Sequence, residues 1–237
     1  MSIEFDIVFI GSGPAGFTGA IRAAQLGKAV GIIECGFTGG VCLNRGCIPT
    51  KSLLHSTQIY ADMKNAEKYG VLANDISFDI KKMLEIRSNT IEKIRTSLEK
   101  NLSANGIEII NGLANLDNDG KLSVNDEEIK YKNLVIATGS SPRMLPNLPE
   151  DMVLTSDTIL TLEEMPESTL IIGSGAIGTE WARILNSLGK KVCVIELAER
   201  LVPTMDESIS ATLERIFKKQ RIEFYKGVSL EKVENKK

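Results

Sequence analysis

Residues 5–34, FDIVFIGSGPAGFTGAIRAAQLGKAVGIIE, decide the fold. Residues 5–10 form a short apolar run of the kind that suits a strand buried in a parallel sheet. Gly11-Ser12-Gly13-Pro14-Ala15-Gly16 follows at once. Residues 17–26 then read as a helix with Gly27 as its stop. Residues 29–33 read as a second strand, and Glu34 ends it. In such a unit the first glycine makes the turn, the second lets a pyrophosphate approach the backbone, and the third lets the helix pack on the strand. The helix N-terminus faces the phosphates. Glu34 stands 18 residues beyond Gly16, where it would accept hydrogen bonds from adenosine ribose hydroxyls. Strand, helix and terminal acid together point to a dinucleotide; the alternative is a glycine-rich turn with no ligand.

The same pattern returns 162 residues later. Residues 169–172 read as a strand, followed by Gly173-Ser174-Gly175-Ala176-Ile177-Gly178. A helix runs to Leu188 with Gly189 as its stop, residues 191–195 read as a strand, and Glu196 ends it. Two such units should hold two dinucleotides, one to give a hydride and one to receive it. A carboxylate at Glu196 accepts ribose hydroxyls and repels a 2′-phosphate, which favours NAD over NADP; Arg200 nearby tempers this. Residues 142–151 contain three prolines. The domain boundary is placed there, giving domains 1–147 and 148–237.

Between the two units stands a second unusual stretch, residues 39–54, GGVCLNRGCIPTKSLL. Four residues separate Cys42 from Cys47, and glycines flank them. Two thiols this close can form a small disulfide loop, for which glycines supply the tight turns. Pro49 suits the first turn of a helix, which sets Cys47 at or near the N-terminus, where the dipole favours a thiolate. The helix is read as running from about Pro49 to Lys68. His55, the chain's one histidine, reads as a solvated helix residue in preference to an acid–base partner of the thiols. Cys35 and Cys193 lie in or beside apolar runs and read as small buried hydrophobes. Residues 79–105 have apolar positions at helical spacing, and residues 107–111 read as a third parallel-type strand. Asp117-Asn118-Asp119-Gly120 is a turn between short alternating runs, read as a small antiparallel meander. Residues 134–137 are the next strand. Trp181 reads as packing. Residues 206–220 read as an amphipathic helix and 222–225 as another strand, with Val228 as the start of a further one.

Composition sets outer bounds. The chain has 237 residues, 43% hydrophobic and 25% charged, with a net charge of −3. These are ordinary values for a globular protein. Nothing basic enough for nucleic acid is present, and no apolar run is long enough for a membrane span. The N-terminus lacks the basic leader of a signal peptide, so the chain is expected to be cytoplasmic. Residues 234–237 read as a short solvated tail.

The 39–54 stretch resembles the redox-active disulfide segment of the flavin disulfide reductases, most of all the dihydrolipoamide dehydrogenases. Gly39, Gly40, Cys42, Leu43, Asn44, Gly46, Cys47, Ile48, Pro49, Thr50 and Lys51 match. Val41 departs, since the family usually has Thr there, and a hydroxyl that could bond the cofactor is lost. The resemblance extends over essentially the whole chain and only the N-terminal part of the family. It implies an α/β fold of two Rossmann-like, FAD/NAD(P)-binding, three-layer domains. The first carries an inserted antiparallel β-meander; the second is truncated, and the C-terminal dimerisation domain is absent.

The resemblance also implies site residues. FAD would be held by Gly11, Ser12, Gly13, Pro14, Ala15 and Gly16, by Glu34 and Cys35, and by Gly40, Val41, Cys42, Cys47 and Lys51. Gly112 and Ala114, with Ala137, Thr138, Gly139 and Ser140, would complete that site. NAD would be held by Gly173, Gly175, Ala176, Ile177, Gly178 and Glu196, and Glu180 and Val228 are implied as further cofactor contacts. Cys42, Cys47, Lys51 and Glu180 would be catalytic, with Lys51 beside the flavin's reactive nitrogen and Glu180 paired to it. Without the family, Lys51 is a surface lysine and Glu180 an acid in a helix's first turn.

The implied reaction oxidises dihydrolipoamide at Cys42 through a mixed disulfide, with electrons passing from Cys47 to FAD and then to NAD. The implied partners are dihydrolipoamide or the lipoyl domain of a 2-oxoacid dehydrogenase complex or glycine cleavage system, and a second copy in a homodimer. The family's histidine base lies in the far C-terminal domain of the other subunit, so thiol turnover by this chain alone should be crippled. Three alternatives remain. One is a related reductase of the mercuric or glutathione type. Another is a structural or zinc role for Cys42 and Cys47, which lacks two further ligands. The third is a non-catalytic flavin- and NAD-binding fragment.

Overall fold

The computed structural model describes residues 4–145, 148–149 and 152–233. The 147/148 boundary and the tail at 234–237 involve residues outside that description. The chain divides into two compact units. The first is Met1–Pro49 with Ser88–Ser141; the second is Thr50–Arg87 with Pro142–Lys237.

The first unit is built on a six-stranded sheet. Its strands are β1 (Glu4–Ile10), β2 (Val30–Glu34), β3 (Glu108–Asn111), β4 (Ala114–Leu116), β5 (Leu122–Val124) and β6 (Glu127–Ile136). The order is β3-β2-β1-β6-β5-β4. β3, β2, β1 and β6 are parallel neighbours; β4 and β5 pair antiparallel with each other and with the start of β6. One long strand thus serves two ladders: its first residues face β5, and Lys130 onward pairs with β1. Helices α1 (Pro14–Gln25) and the C-terminal part of α4 (Ile80–Ala104) cover one face, where Ala20, Ala23 and Leu102 meet Phe9, Val30 and Ile32. On the other face Leu122 and Val124 pack on Val8 and Ile33. The central strands are therefore buried on both sides, which is why β1 and β2 read as near-continuous apolar runs. A short helix α2 (Gly40–Arg45) follows β2, and α3 (Cys47–Lys64) begins two residues after it ends.

The second unit has a parallel sheet in the order β7-β8-β9, from β7 (Ser168–Ile172), β8 (Lys191–Glu196) and β9 (Glu223–Lys226). Its helices are α5 (Ala176–Ser187) and α6 (Glu207–Gln220), joined by α3 from Thr50 onward and the start of α4. Trp181, Ile184, Leu185 and Phe217 meet Val192 and Val194 of the sheet, and Leu53 and Tyr60 of α3 share that core. Trp181 is packing, as its sequence setting implied. Leu170, Ile172 and Tyr225 on the sheet remain exposed.

Three readings are corrected. The helix read from about Pro49 to Lys68 is Cys47–Lys64, because the Asn65 backbone (φ −107°, ψ 11°) leaves the helical region. Cys35 is exposed, not buried. β2 ends at Glu34, whose Oε1 accepts the Gly36 N–H at 2.8 Å, and that bend turns Cys35 out of the sheet. Val228 begins no strand among the described residues; its N–H donates to the Glu196 carbonyl at 3.1 Å, beyond the end of β9. Cys193 is partly buried on β8, and burial pushes its thiol pKa up, with Glu223 adding to the shift.

Candidate functional site

In the first unit the glycine loop leads from the end of β1 into α1, with Gly13 as the helix N-cap. Gly16 is buried where α1 crosses the turn: a Cβ there would lie 1.8 Å from the Gly11 carbonyl oxygen. Gly13 differs. The nearest atom to a Cβ at Gly13 is the Gly40 Cα at 3.9 Å, an ordinary separation. Its backbone is extended, with φ −66°. Nothing in the protein demands glycine at this position, whereas a pyrophosphate lying against the backbone does. Among the described residues no side chain caps α1, and Pro14 opens it, so its first-turn N–H groups face outward for an anion.

Ser12 is fully buried and turned inward. Its N–H and hydroxyl both donate to Glu34 Oε2, at 2.9 and 2.5 Å. Its hydroxyl oxygen also accepts the Gly39 N–H at 3.1 Å. Glu34 is thus held at the strand end by three donors from its own chain. Pro14 and Ala15 are exposed in the first turn of α1. Gly112 donates its N–H to the Glu34 carbonyl at 2.9 Å, which ties Gly112 to the acid, and Ala114 opens β4 two residues later. Ala137 follows β6 and donates to the Ile10 carbonyl at 2.8 Å; Thr138, Gly139 and Ser140 are exposed beyond it.

The disulfide is built against this loop. Gly40 starts α2, and a Cβ there would come within 2.6 Å of the Gly13 Cα. Cys42 and the exposed Val41 lie on α2, and Cys42 is bonded to Cys47, the first residue of α3. Leu43 anchors α2 by burial. Cys47 is exposed and Cys42 half-buried.

The second unit repeats the arrangement residue for residue. Gly175 caps α5, again with no side-chain cap among the described residues. A Cβ at Gly178 would lie 2.1 Å from the Gly173 carbonyl oxygen. One at Gly175 would meet nothing within 4 Å. Ser174 is fully buried; its N–H and hydroxyl donate to Glu196 Oε2 at 2.7 and 2.8 Å, and Ala198 N–H donates to Oε1 at 2.9 Å. Burial pushes the Glu196 carboxyl up. Hydrogen bonds from the Ala198 N–H, both Ser174 donors and the Leu197 N–H outweigh it and hold the group below the ordinary glutamate range. Ala176 and Ile177 are exposed in the first turn of α5. Glu180, one turn on, pairs with Lys51 Nζ of α3 at 2.6 Å. His55, one turn beyond Lys51 on α3, is exposed.

Residues 5–237 match the family model described as pyridine nucleotide-disulphide oxidoreductase, and the chain belongs to that family. It is 35% identical to a dihydrolipoyl dehydrogenase of Acholeplasma laidlawii over all of this chain and 73% of the relative. It is 38% identical to the dihydrolipoyl dehydrogenase of Bacillus subtilis over 97% of this chain and 52% of the relative. The solved structure of the HOCl-induced flavoprotein disulfide reductase RclA from Escherichia coli superposes with a TM-score of 0.80 at 28% identity, covering 96% of this chain and 50% of that one. The chain thus spans about half the length of most curated relatives it matches. Dihydrolipoyl dehydrogenases and flavoprotein disulfide reductases use FAD and NAD(P). Both glycine loops fit such groups, because a Cβ at Gly13 would meet nothing closer than 3.9 Å and one at Gly175 nothing within 4 Å.

Sequence reading missed several residues that build the site. The structural duty of Ser12 and Ser174 was not assigned, although the serine at the same place in both loops was a signal. Asn44 was among the residues matching the disulfide segment, but Arg95, which holds the turn into α2 with it, gave no signal, because it lies 51 residues away in sequence.

Proposed function

We propose that this chain is the FAD- and NAD-binding part of a dihydrolipoyl dehydrogenase, with domains at 1–147 and 148–237 and the Cys42–Cys47 disulfide as its redox centre. What carries the reading is the seating of the disulfide on the first glycine loop: Gly40 opens the helix that holds Cys42 and lies against Gly13. The first loop would cradle FAD and the second NAD, with the residues named above as their contacts.

The chemistry at the sulfurs is thiol–disulfide exchange. A thiolate of the dithiol substrate attacks Cys42 Sγ, the Cys42–Cys47 bond breaks, and Cys47 leaves as a thiolate. The second substrate thiol, losing its proton, then displaces Cys42 Sγ. The substrate ends as a disulfide and the two cysteines as a dithiol. When bound, FAD supplies the two-electron acceptor for that dithiol and NAD+ the final hydride acceptor. Lys51, held by Glu180, supplies a fixed cation four residues along α3 from Cys47. Cys47 at the first position of α3 gains from the helix dipole as a thiolate. At Glu196 the carboxylate selects NAD by accepting ribose hydroxyls and repelling a 2′-phosphate.

Dihydrolipoamide, free or on a lipoyl domain, is the proposed substrate, and a homodimer the proposed assembly. The proposed compartment is the cytosol, because Cys35 and Cys193 are free thiols and the one disulfide is the redox couple. Among the described residues no helix is long and apolar enough to cross a membrane.

The test is the anaerobic visible spectrum of the chain incubated with FAD and then freed of unbound flavin by gel filtration, before and after NADH. A flavin band that NADH bleaches is the expected result. Absence of any flavin band after FAD is added overturns the proposal.

A further inference from the structure

The turn into α2 is held by side chains that the redox chemistry itself does not use. Asn44 lies on α2 between the two cysteines. Its Nδ2 donates to the carbonyls of Phe37, Thr38 and Gly40 at 3.3, 3.0 and 2.9 Å, gathering the whole approach to the helix. Its Oδ1 accepts from Arg95 Nη1 at 3.2 Å. The Arg95 guanidinium also lies 4.4 Å from the Phe37 ring centroid and pairs with Glu92 one turn earlier on α4. The Arg95 side chain is only 17% exposed, while Glu92 is 63% exposed. A long helix of the first unit therefore reaches over the disulfide turn and grips it through one amide.

α2 needs that grip. It has six residues, too few to persist as a helix by itself. While the disulfide is closed, the bond to Cys47 pins α2 as well. Once the bond opens, the Asn44–Arg95 pair is among the contacts that still hold Cys42 near its partner, with buried Leu43 and the Gly39 N–H bonded to Ser12. A thiol held in place re-forms the disulfide more readily than one on a frayed turn, because less freedom is lost on closure.

We infer that Arg95 is a positioning residue which, acting through Asn44, sets the dithiol–disulfide equilibrium of Cys42 and Cys47. The inference rests on the redox role proposed for that pair. Loosening the grip disfavours the closed disulfide and makes the couple more oxidising.

The experiment titrates the full chain against dithiothreitol and its oxidised form, reading Cys42 and Cys47 by thiol alkylation, which needs no bound flavin. Arg95→Ala should shift the equilibrium about tenfold toward the dithiol, which is about 30 mV for a two-electron couple. Arg95→Lys, which keeps a donor but not the planar fork, should shift it about threefold. Asn44→Ala, which also releases the three carbonyls, should shift it at least as far, and the double variant should go no further than Asn44→Ala, since Arg95 acts through Asn44. Glu92→Gln, which removes only the exposed partner of Arg95, should stay within twofold of the parent. An Arg95→Ala chain that melts as the parent does and titrates within twofold of it overturns the inference, as do additive shifts in the double variant. Should Arg95→Ala fail to fold, Arg95→Lys decides by the same twofold limit. A parent chain whose Cys42 and Cys47 do not exchange with dithiothreitol at all would instead remove the redox reading of the pair.

Discussion

In both units a buried serine gives its hydroxyl to the acid that ends the second strand and takes an N–H from a later residue. In the first unit that residue is Gly39, bonded to the Ser12 carbonyl and hydroxyl, both at 3.1 Å. In the second it is Val202, bonded to the Ser174 carbonyl and hydroxyl at 3.1 and 3.2 Å. Both backbones are left-handed, with φ 101° at Gly39 and 43° at Val202. Glycine adopts this conformation freely, and a β-branched residue does so under strain of about 1–3 kcal/mol. The first unit has no choice, because a Cβ at Gly39 would lie 2.3 Å from Leu43 Cδ2, the buried anchor of α2. The second unit keeps a side chain there. Val202 is buried and lines a groove with Ala176, Thr179 and Glu180. One polar pin therefore serves two purposes: over the first loop it admits a tightly packed disulfide helix, and over the second it carries an apolar wall.

The largest effects should be equal in the two units. Gly16→Ala and Gly178→Ala each push a Cβ into a carbonyl oxygen, at 1.8 and 2.1 Å, and each should cost about 3 kcal/mol in urea unfolding. If one of them is tolerated, the loops do not share a skeleton. Next come the serines. Ser12→Ala and Ser174→Ala each remove a buried donor to a carboxylate and should cost about 2 kcal/mol. The pins then separate the units. Gly39→Ala should cost about 2 kcal/mol, whereas Val202→Gly should stay within about 1 kcal/mol, because relieved strain offsets the lost apolar burial and added chain entropy. A large loss at Val202→Gly would show that its side chain, not its backbone, holds the loop.

The acid side of the pH profile sharpens the comparison further. The Glu196 carboxyl is held below its ordinary range, so its contribution to stability is complete above the unfolded value of about 4.3. That contribution is lost as pH falls through the lowered folded value. Glu196→Gln should flatten this part of the profile in urea titrations between pH 5 and pH 3. The smallest stability effect belongs to Gly175→Ala, which should change the melting point little while weakening NADH binding about tenfold or more by fluorescence titration. Unchanged binding would mean that no pyrophosphate lies against that glycine.

Much of the first unit was legible because its information is local. The run at 5–10, the glycine spacing and the acid at 34 lie within 30 residues, and the parallel registers Ile7↔Val30 and Thr169↔Val192 repeat the 162-residue offset read from the sequence. Cys35 misled because an apolar strand precedes it, while the bend that exposes it depends on a Glu34–Gly36 hydrogen bond. The grouping of residues 50–87 with the second unit was not legible either. Leu53 and Tyr60 look like any apolar helix positions, and which core they join is decided by tertiary packing. Arg95 is likewise one of two arginines on a helix that looks exposed until the fold brings Asn44 and Phe37 beneath it.

The serine pins also carry an expectation about how a ligand would be taken up. Ser174 joins the glycine turn, the strand-end acid and Val202 into one hydrogen-bonded block, and Gly178 locks the helix onto the same turn. A nucleotide arriving at such a cradle would find its turn already formed. Association should then be a single-step encounter whose observed rate rises linearly with NADH concentration, without the plateau that a preceding rearrangement would impose.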